Sequence, residues 1–150
     1  MKERPSWDKY FYTIAKVVAT RSSCLKDQIG SVIVDEFDKR IISTGYNGPV
    51  RGAPHCEHCN RVNSTAGEGY DNCPSVHAEL NAILSAARHG VSTVGKTMYL
   101  TRCPCYQCAK AIVNSGIQLV IFKFDDRSNP TIINYLDRNK VCVRFINREE

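Results

Sequence analysis

The spacing of apolar residues predicts helices and strands along nearly the whole chain. In two stretches the apolar side chains recur every three or four residues, as on one face of a helix. The first stripe comprises Trp7, Phe11, Ile14, Ala15 and Val18, and the second comprises Val76, Leu80, Ile83, Leu84 and Ala87. Between them, the β-branched stretches 31–35 and 40–44 predict an antiparallel hairpin.

The second half of the chain alternates between strands and helices. Strands are predicted at 97–101, 119–124 and 141–146, with helices at 105–115 and 130–139 between them. This alternation favours parallel strand pairing through right-handed crossovers. The expected fold class is therefore α/β, with a mixed five-stranded sheet between helices. Cys142 lies in the last apolar strand, and we expect it to be a small core residue.

The stretch at about 47–75 interrupts the periodic pattern. It is rich in Gly, Pro, Asn, Ser and Cys and has few apolar residues. A long irregular stretch inside a compact domain is uncommon unless it is functional or held by other groups. We expect a single domain over 1–150 with this segment as a metal-binding loop.

Composition narrows the classes of function. Hydrophobic residues make up 43% of the 150 residues, and no apolar run approaches the roughly 18 residues that span a bilayer. Residues 1–10 lack the apolar core of a signal peptide, so we expect a cytoplasmic protein. The net charge of +5 fits a phosphate-bearing ligand or a nucleic acid, and it fits solubility alone equally well. Eight cysteines in a cytosolic chain favour metal binding or catalysis over disulfides.

Two short motifs contain residues that are typical of a metal site. Cys105 and Cys108, preceded by Pro104, open a predicted helix, where the helix dipole favours thiolates. His77 at the start of another helix provides a third ligand. Two thiolates and one imidazole suit a tetrahedral zinc with one open position.

Glu79 follows His77 by two residues, and we expect it to carry protons rather than bind the metal. In a regular helix the two side chains would point about 200° apart. Both can face one pocket only if His77 lies in an irregular first turn. Alternatively, His77 could be a helix cap and Glu79 an acid that complements the helix dipole in the first turn. The cysteine pair would then belong to a wholly structural zinc site. Together the two motifs match the H-x-E and P-C-x-x-C signature of zinc deaminases.

These motifs resemble those of the cytidine and deoxycytidylate deaminase superfamily. Three further stretches, Arg4–Asp8, Gln28–Val34 and Thr44–Gly48, resemble deoxycytidylate deaminases, including phage versions. The likeness covers nearly the whole chain. It implies the fold of a three-layer α/β/α cytidine-deaminase-like sandwich. The expected location of the protein is the cytoplasm, which would be that of the host if a phage encodes it.

The resemblance also implies a reaction and roles for individual residues. His77, Cys105 and Cys108 would bind a catalytic Zn²⁺, and Glu79 would move protons in the hydrolysis of dCMP to dUMP and ammonia. The dUMP would supply thymidylate synthesis. Asn47 would contact the sugar. The backbone carbonyl at the position of Cys103, where other residues are usual, would accept a hydrogen bond from the substrate amine.

Regulation and assembly are implied by the resemblance alone. Family members are often hexamers that dCTP activates and dTTP inhibits, with Mg²⁺ accompanying the nucleotide. The regulatory site would lie in the loop that contains Gly45, Tyr46, Asn47, Gly48, Arg51 and Gly52.

The substrate phosphate requires a cation. Arg21 and Lys26 lie between the first helix and the first strand, close to the family's substrate-binding region. An ordinary solvated loop explains these two charges equally well. Arg102 is an unusual residue at its position, and it either reaches the phosphate or faces solvent.

A second group of cysteines suggests a structural zinc. Cys24, Cys56, Cys59 and Cys73 could form a closed site with four cysteine ligands. Such a site would order the irregular loop. His55 or His58 could replace one cysteine, or the thiols could be free.

Two other functions compete with nucleotide deamination. A polynucleotide deaminase, acting on tRNA adenosine or single-stranded DNA cytosine, would require basic stripes with interleaved aromatic residues. The charges here are dispersed instead. A non-catalytic zinc module that binds nucleic acid or protein would require closed metal sites, and the set of His77, Cys105 and Cys108 is open. We therefore expect a nucleotide as partner, with no membrane and no nucleic acid.

Overall fold

The computed structural model describes residues 2–65 and 67–147. The helices of these ranges are α1 (Trp7–Ala19), α2 (Ala78–Arg88), α3 (Tyr106–Asn114) and α4 (Pro130–Arg138). The strands in chain order are β1 (Gly30–Asp35), β2 (Arg40–Tyr46), β3 (Gly48–Pro49), β4 (Ser75–Val76), β5 (Thr97–Leu100), β6 (Leu119–Phe122) and β7 (Cys142–Phe145). None of the helices in the described ranges is both long and apolar enough to cross a bilayer.

A mixed five-stranded sheet forms the centre of the fold, as the sequence predicts. Its order is β2-β1-β5-β6-β7, and β3 pairs separately with β4. The hairpin of β1 and β2 is antiparallel, and β1 is also antiparallel to β5. In the second half, β5, β6 and β7 run parallel, because α3 and α4 return the chain to the same end of the sheet. The expected parallel half is thus confirmed.

Helices cover both faces of the sheet. On one face, Phe11 and Ala15 of α1 pack against Val32 and Val34 of β1. On the other face, the neighbouring Ile33 packs in a cluster with residues of α2, α3 and α4, namely Ala82, Ala109, Ile112, Ile132 and Leu136. Successive residues of a strand point to opposite faces, so a wholly apolar β1 is expected where both faces are buried.

The predicted apolar stripe of α2 coincides only in part with its buried face, because Ile83 packs against the core but Leu84 and Ala87 are exposed. The buried residues of this helix are Ala78, Glu79, Ala82 and Ala86, whereas Leu84 is 53% exposed and Val76 lies in β4. Small side chains let the helix approach β2 closely at Gly45. A Cβ atom on Gly45 would lie 2.3 Å from the Ala78 carbonyl oxygen and 2.4 Å from the Ala82 nitrogen.

Two other expectations about the core require correction. Trp7 starts the predicted stripe of α1 but is 47% exposed, and Phe11, Ala15 and Ala19 form the buried face. Cys142 is exposed rather than buried. It lies in β7, which is an edge strand with α4 on one side, so an apolar sequence there does not ensure burial.

The segment between β2 and α2 is mostly irregular, as predicted. Within its described residues it contains β3, a 3-10 turn at Tyr70–Asn72 and β4. The Lys26 ammonium group, from the connection between α1 and β1, donates hydrogen bonds to the carbonyl oxygens of Arg61, at 2.6 Å, and Ser64. A side chain outside the segment therefore holds its middle in place.

Candidate active site

Three potential metal ligands meet at the N-terminal ends of two helices. His77 is the N-cap of α2 and Cys105 is the N-cap of α3, and both have extended backbone. The His77 Nδ1 atom lies 3.4 Å from the sulfur of Cys105 and 3.4 Å from that of Cys108. The ligand atoms of all three residues lie within 4.8 Å of one another. Packing of α2 and α3 on the same sheet face brings the two motifs together.

The chemistry of these donors fits zinc. The pKa of the Cys105 thiol is lowered, mainly because its sulfur accepts a hydrogen bond from the Cys108 thiol and also because it contacts His77. The Cys108 amide also points at the Cys105 sulfur, with a nitrogen–sulfur distance of 3.5 Å. Such surroundings favour a thiolate at Cys105. Two cysteine sulfurs and one imidazole nitrogen form a set of three protein ligands, which suits a zinc with a fourth position for substrate chemistry.

Glu79 lies beside this set and is 5% exposed. His77 and Glu79 can face the same cavity because the extended backbone of His77 precedes the first turn of α2. Burial raises the pKa of the Glu79 carboxyl group, and a backbone hydrogen bond and the neighbouring His77 oppose that rise. A carboxyl group with a raised pKa can hold and release a proton near neutral pH.

A cavity of about 490 Å³ opens beside these residues and is lined by His77, Glu79 and Cys105. This volume falls in the range of small-molecule sites. The irregular segment forms one wall, where the Tyr70 ring packs edge-on against the His77 ring with 4.7 Å between centroids. The Arg61 guanidinium group lies 4.1 Å from the centre of the Tyr70 ring. The cavity thus combines a wall that carries an aromatic ring and a guanidinium group with potential metal ligands and a buried carboxyl group.

Asn47, the expected sugar contact, lines this cavity and is 7% exposed. Its Oδ1 atom accepts a hydrogen bond from the Ile29 amide, at 2.8 Å, and its Nδ2 atom donates to the Asp27 carbonyl oxygen, at 2.8 Å. The side chain therefore fixes the backbone of 27–29 at the edge of the cavity. Cys103 also lines the cavity, and burial raises the pKa of its thiol.

The two cations expected at the phosphate differ in position. Arg21 is exposed just after α1 and is absent from the described lining of the cavity, whereas Lys26 lines it. The Lys26 ammonium group is engaged with backbone carbonyl oxygens of the irregular segment. Arg102 and Arg127 also line the cavity. The sequence reasoning overlooked Arg127, although its place after β6 signals it, because ligands bind beyond the carboxyl ends of parallel strands.

The four cysteines of the second group line one cavity of about 300 Å³. They are Cys24, Cys56, Cys59 and Cys73, and His58 lines the same cavity. Among the described residues, only His77, Cys105 and Cys108 have three ligand atoms within 4.8 Å of one another. The second group therefore surrounds a shared space without forming an equally close set. All eight cysteines are free of disulfides.

The residues expected at a regulatory site are spread around the end of β2. Gly45 is buried beneath α2, Tyr46 is 41% exposed, and Gly48 lies in β3. Arg51 and Gly52 are exposed, and Gly52 has a φ of +84° with open space around it. Of these residues and Asn47, only Asn47 lines either of the two cavities described above.

Comparison with known proteins identifies the family. A model of the cytidine and deoxycytidylate deaminase zinc-binding region matches residues 5–124. ComE operon protein 2 of Bacillus subtilis is 36% identical over 99% of this chain and 75% of its own length. The deoxycytidylate deaminase of Mycobacterium phage D29 is 42% identical over 79% of this chain and 95% of its own length.

A solved structure supports the fold. The dCMP deaminase of cyanophage S-TIM5, in complex with dCMP and dUMP, matches with a TM-score of 0.79 and 23% identity. The match covers 97% of this chain and 100% of that one. This structural similarity supports the fold alone, whereas the family model and the sequence relatives identify the family. The chain belongs to the cytidine and deoxycytidylate deaminase family.

Proposed function

We propose that this protein catalyses the zinc-dependent hydrolysis of dCMP to dUMP and ammonia, which supplies dUMP for thymidylate synthesis. The observation that carries the proposal is the burial of Glu79 in a cavity that His77 and Cys105 also line, with Cys108 completing the close set of ligand atoms. Relatives named deoxycytidylate deaminase support the choice of substrate. The enzyme is thus a hydrolase that acts on the C–N bond of a cyclic amidine.

In this proposal His77, Cys105 and Cys108 hold the zinc. When bound, the metal supplies Lewis-acid chemistry that makes a water molecule nucleophilic at neutral pH. The chain contributes the ligand geometry, because two helix N-termini present these side chains from a packed core. Tyr70 supports the His77 ring from the side of the irregular segment.

Glu79 moves the protons of the reaction. Its carboxyl group accepts a proton from the attacking water and delivers it to N3 of the cytosine ring, which makes C4 more electrophilic. Glu79 then takes the remaining proton from the hydroxyl group at C4 and delivers it to the exocyclic nitrogen, so that the C4 carbonyl forms as ammonia departs. The raised pKa of the buried carboxyl group suits both directions of transfer.

Asn47 and the backbone carbonyl of Cys103 are the proposed contacts to the sugar and to the amine. Both residues line the cavity, and the hydrogen bonds of Asn47 to the 27–29 backbone make it a fixed element of the wall. Arg21 and Lys26 stay predictions as phosphate ligands.

The direct test is ammonia release by the purified zinc-loaded protein from four compounds: dCMP, dCTP, cytidine and a cytosine-containing oligonucleotide. The proposal expects the highest kcat/KM with dCMP. A preference for the oligonucleotide would favour a polynucleotide deaminase. Full zinc occupancy without turnover of any compound would favour a non-catalytic zinc module.

A second, structural zinc bound by Cys24, Cys56, Cys59 and Cys73 is also part of the proposal. The four residues line one cavity, and His58 offers an alternative ligand there. Metal binding would draw the sulfurs closer and order the segment that contains Arg61 and Tyr70. Zinc analysis of fully loaded protein is expected to give about two ions per chain, from this site and the catalytic one. A value of about one would exclude the second site.

We also propose, from the family resemblance, that nucleotides regulate the enzyme and that it assembles as an oligomer. We expect activation by dCTP with Mg²⁺, inhibition by dTTP, and binding of both near Gly45–Gly52. A hexamer is expected as well, and the 53% exposed Leu84 on α2 provides apolar surface for contacts between copies. Turnover with and without each nucleotide tests the regulation, and light scattering tests the mass. Unchanged turnover, or a monomeric mass, would remove the corresponding part.

A cytoplasmic location is proposed for the same enzyme. The absence of disulfides among its eight cysteines is consistent with a reducing compartment. Fractionation of cells that express the protein, followed by immunoblotting, tests this location. Recovery with membranes or in the medium would contradict it.

A further inference from the structure

Three charged side chains form a cluster in the lining of the proposed catalytic cavity. They are Asp27, Arg102 and Arg127, and all three line the cavity with His77 and Glu79. An Nη1 atom of Arg102 donates to the Asp27 carboxylate at 2.8 Å, and an Nη1 atom of Arg127 lies 3.5 Å from the other oxygen of Asp27. We call these three residues the Asp27 cluster.

The fold places the cluster beside the metal ligands for a topological reason. Arg102 follows β5 and precedes Cys105 by three residues, and Arg127 follows β6. Because β5 and β6 are parallel neighbours, the residues beyond their carboxyl ends meet at one edge of the sheet. Asp27 reaches the same edge from the connection between α1 and β1, where Asn47 fixes its backbone.

The other two cations that line the cavity are engaged elsewhere. The Lys26 ammonium group donates to carbonyl oxygens of the irregular segment. Arg61 stacks on Tyr70, and its Nε atom donates to the Glu68 carbonyl oxygen at 2.7 Å. These positive charges therefore support the wall of the cavity.

The arginines of the Asp27 cluster retain donors for an anion. A guanidinium group carries five N–H donors, and the contact with Asp27 occupies one nitrogen of Arg102. Arg127 contacts Asp27 and, through its Nη2 atom at 3.4 Å, Asp125, and its side chain is 50% exposed. Arg102 is better ordered for binding, because its side chain is 19% exposed and its carboxylate contact holds the planar group in place.

We propose that Arg102, assisted by Arg127, binds the 5′-phosphate of the substrate and thereby selects a nucleoside monophosphate over the uncharged nucleoside. This inference rests on the proposed deaminase function. Guanidinium groups suit a phosphate because they present paired donors in one plane. Asp27 and Asp125 balance the charges of the two arginines, so the free guanidinium donors rather than a net charge favour the phosphate. Arg102 is thus a specificity-determining residue.

The test compares Arg102→Gln with the parent enzyme on dCMP and on deoxycytidine. The substitution is expected to lower kcat/KM for dCMP by about 10- to 100-fold, mainly through KM, since a charged hydrogen bond to the phosphate is lost. Arg127→Gln is expected to lower it less, because that side chain is half exposed. The kcat/KM for deoxycytidine, which has no phosphate, should fall by a clearly smaller factor than that for dCMP, because only dCMP loses a contact to its phosphate.

Two further variants provide controls. Arg102→Lys retains the charge without the paired donors, so its KM for dCMP should fall between those of the parent and Arg102→Gln. Arg138→Gln removes an exposed arginine from the last turn of α4, away from the cavity lining, and should match the parent. Thermal melting of each variant separates loss of folding from loss of phosphate binding.

The outcomes separate this inference from the function on which it rests. If the parent releases no ammonia from dCMP, the proposed function fails, and calorimetry of zinc-loaded Glu79→Gln protein with dCMP, with and without Arg102→Gln, still tests phosphate binding. If the parent turns over dCMP and Arg102→Gln has the same KM, the inference is wrong. An equal loss on dCMP and deoxycytidine would also overturn it, because that pattern indicates a general defect of the cavity.

Discussion

The two cysteine-lined cavities of this protein rest on different kinds of scaffold. His77, Cys105 and Cys108 lie at helix ends that the core holds in place, and their ligand atoms lie within 4.8 Å of one another. The second cavity takes its cysteines from a long irregular segment and from the connection before β1. The packed core thus places the ligand atoms of the first site close together, whereas the second is the site at which we propose that a bound ion draws the sulfurs together.

The two regions also contact each other. Arg61 and Cys24 line both cavities. The irregular segment therefore has a structural role in the active site: it supplies the wall formed by Arg61 and Tyr70 beside His77. The comparison teaches that the proposed catalytic groups belong to the packed framework, while one wall of their cavity belongs to the irregular segment.

The largest effect is expected within the packed site. Glu79→Gln should lower kcat for dCMP by at least about 10²–10⁴-fold, because proton transfer is lost, while zinc content and melting temperature stay near those of the parent. Glu3→Gln, a matched change at an exposed position, should leave kcat unchanged. A zinc-loaded Glu79→Gln protein with parental turnover would disprove the role of this carboxyl group.

The second site is expected to show a large effect on stability rather than on chemistry. Cys59→Ser should remove about one zinc per chain and speed up hydrogen exchange of amides in 56–73, because the loop loses its metal. Cys142→Ser, at an exposed position on β7, should change neither quantity. Unchanged zinc content in Cys59→Ser would show that Cys59 is not a ligand of a second zinc.

Two glycines, one in the packed framework and one in the irregular segment, should respond differently to an added side chain. Gly45→Ala should lower the free energy of unfolding by about 1–3 kcal/mol or more, because its Cβ would collide with the backbone of α2. Gly52→Ala meets open space at a φ of +84° and should cost about 1 kcal/mol through backbone strain alone. Denaturant unfolding measures both values, and equal losses would contradict the close packing at Gly45.

The smallest effect concerns the contact that joins the loop to the framework. Lys26→Met keeps the aliphatic stem and removes hydrogen bonds to the carbonyl oxygens of Arg61 and Ser64. The expected loss is about 1 kcal/mol of local stability, seen as faster hydrogen exchange in 61–70. Lys123→Met, at an exposed position after β6, is the control. Equal exchange in both variants would show that Lys26 does not hold the segment.

The sequence predicts most of the framework and the core of the site. The alternation after residue 90 is strong enough to indicate the parallel half of the sheet, because each strand and helix there has its own periodic pattern. The spacing of His77, Glu79, Cys105 and Cys108 indicates the donor set, since each motif begins a helix.

Other features depend on contacts that a local pattern does not encode. The buried face of α2 consists of alanines because Gly45 permits a close approach, so apolar size misleads there. The ion pair of Asp27 and Arg102 joins residues 75 positions apart, and only the strand order brings them together. Long-range pairing of charges therefore requires the structure.

The most direct test of the central claim follows dCMP and its products with zinc-loaded protein whose metal content is measured on the same sample. Deamination at the site of Glu79, His77, Cys105 and Cys108 requires dUMP and ammonia to form in equal amounts as dCMP disappears. Protein with full zinc occupancy that leaves dCMP unchanged would contradict the proposed function.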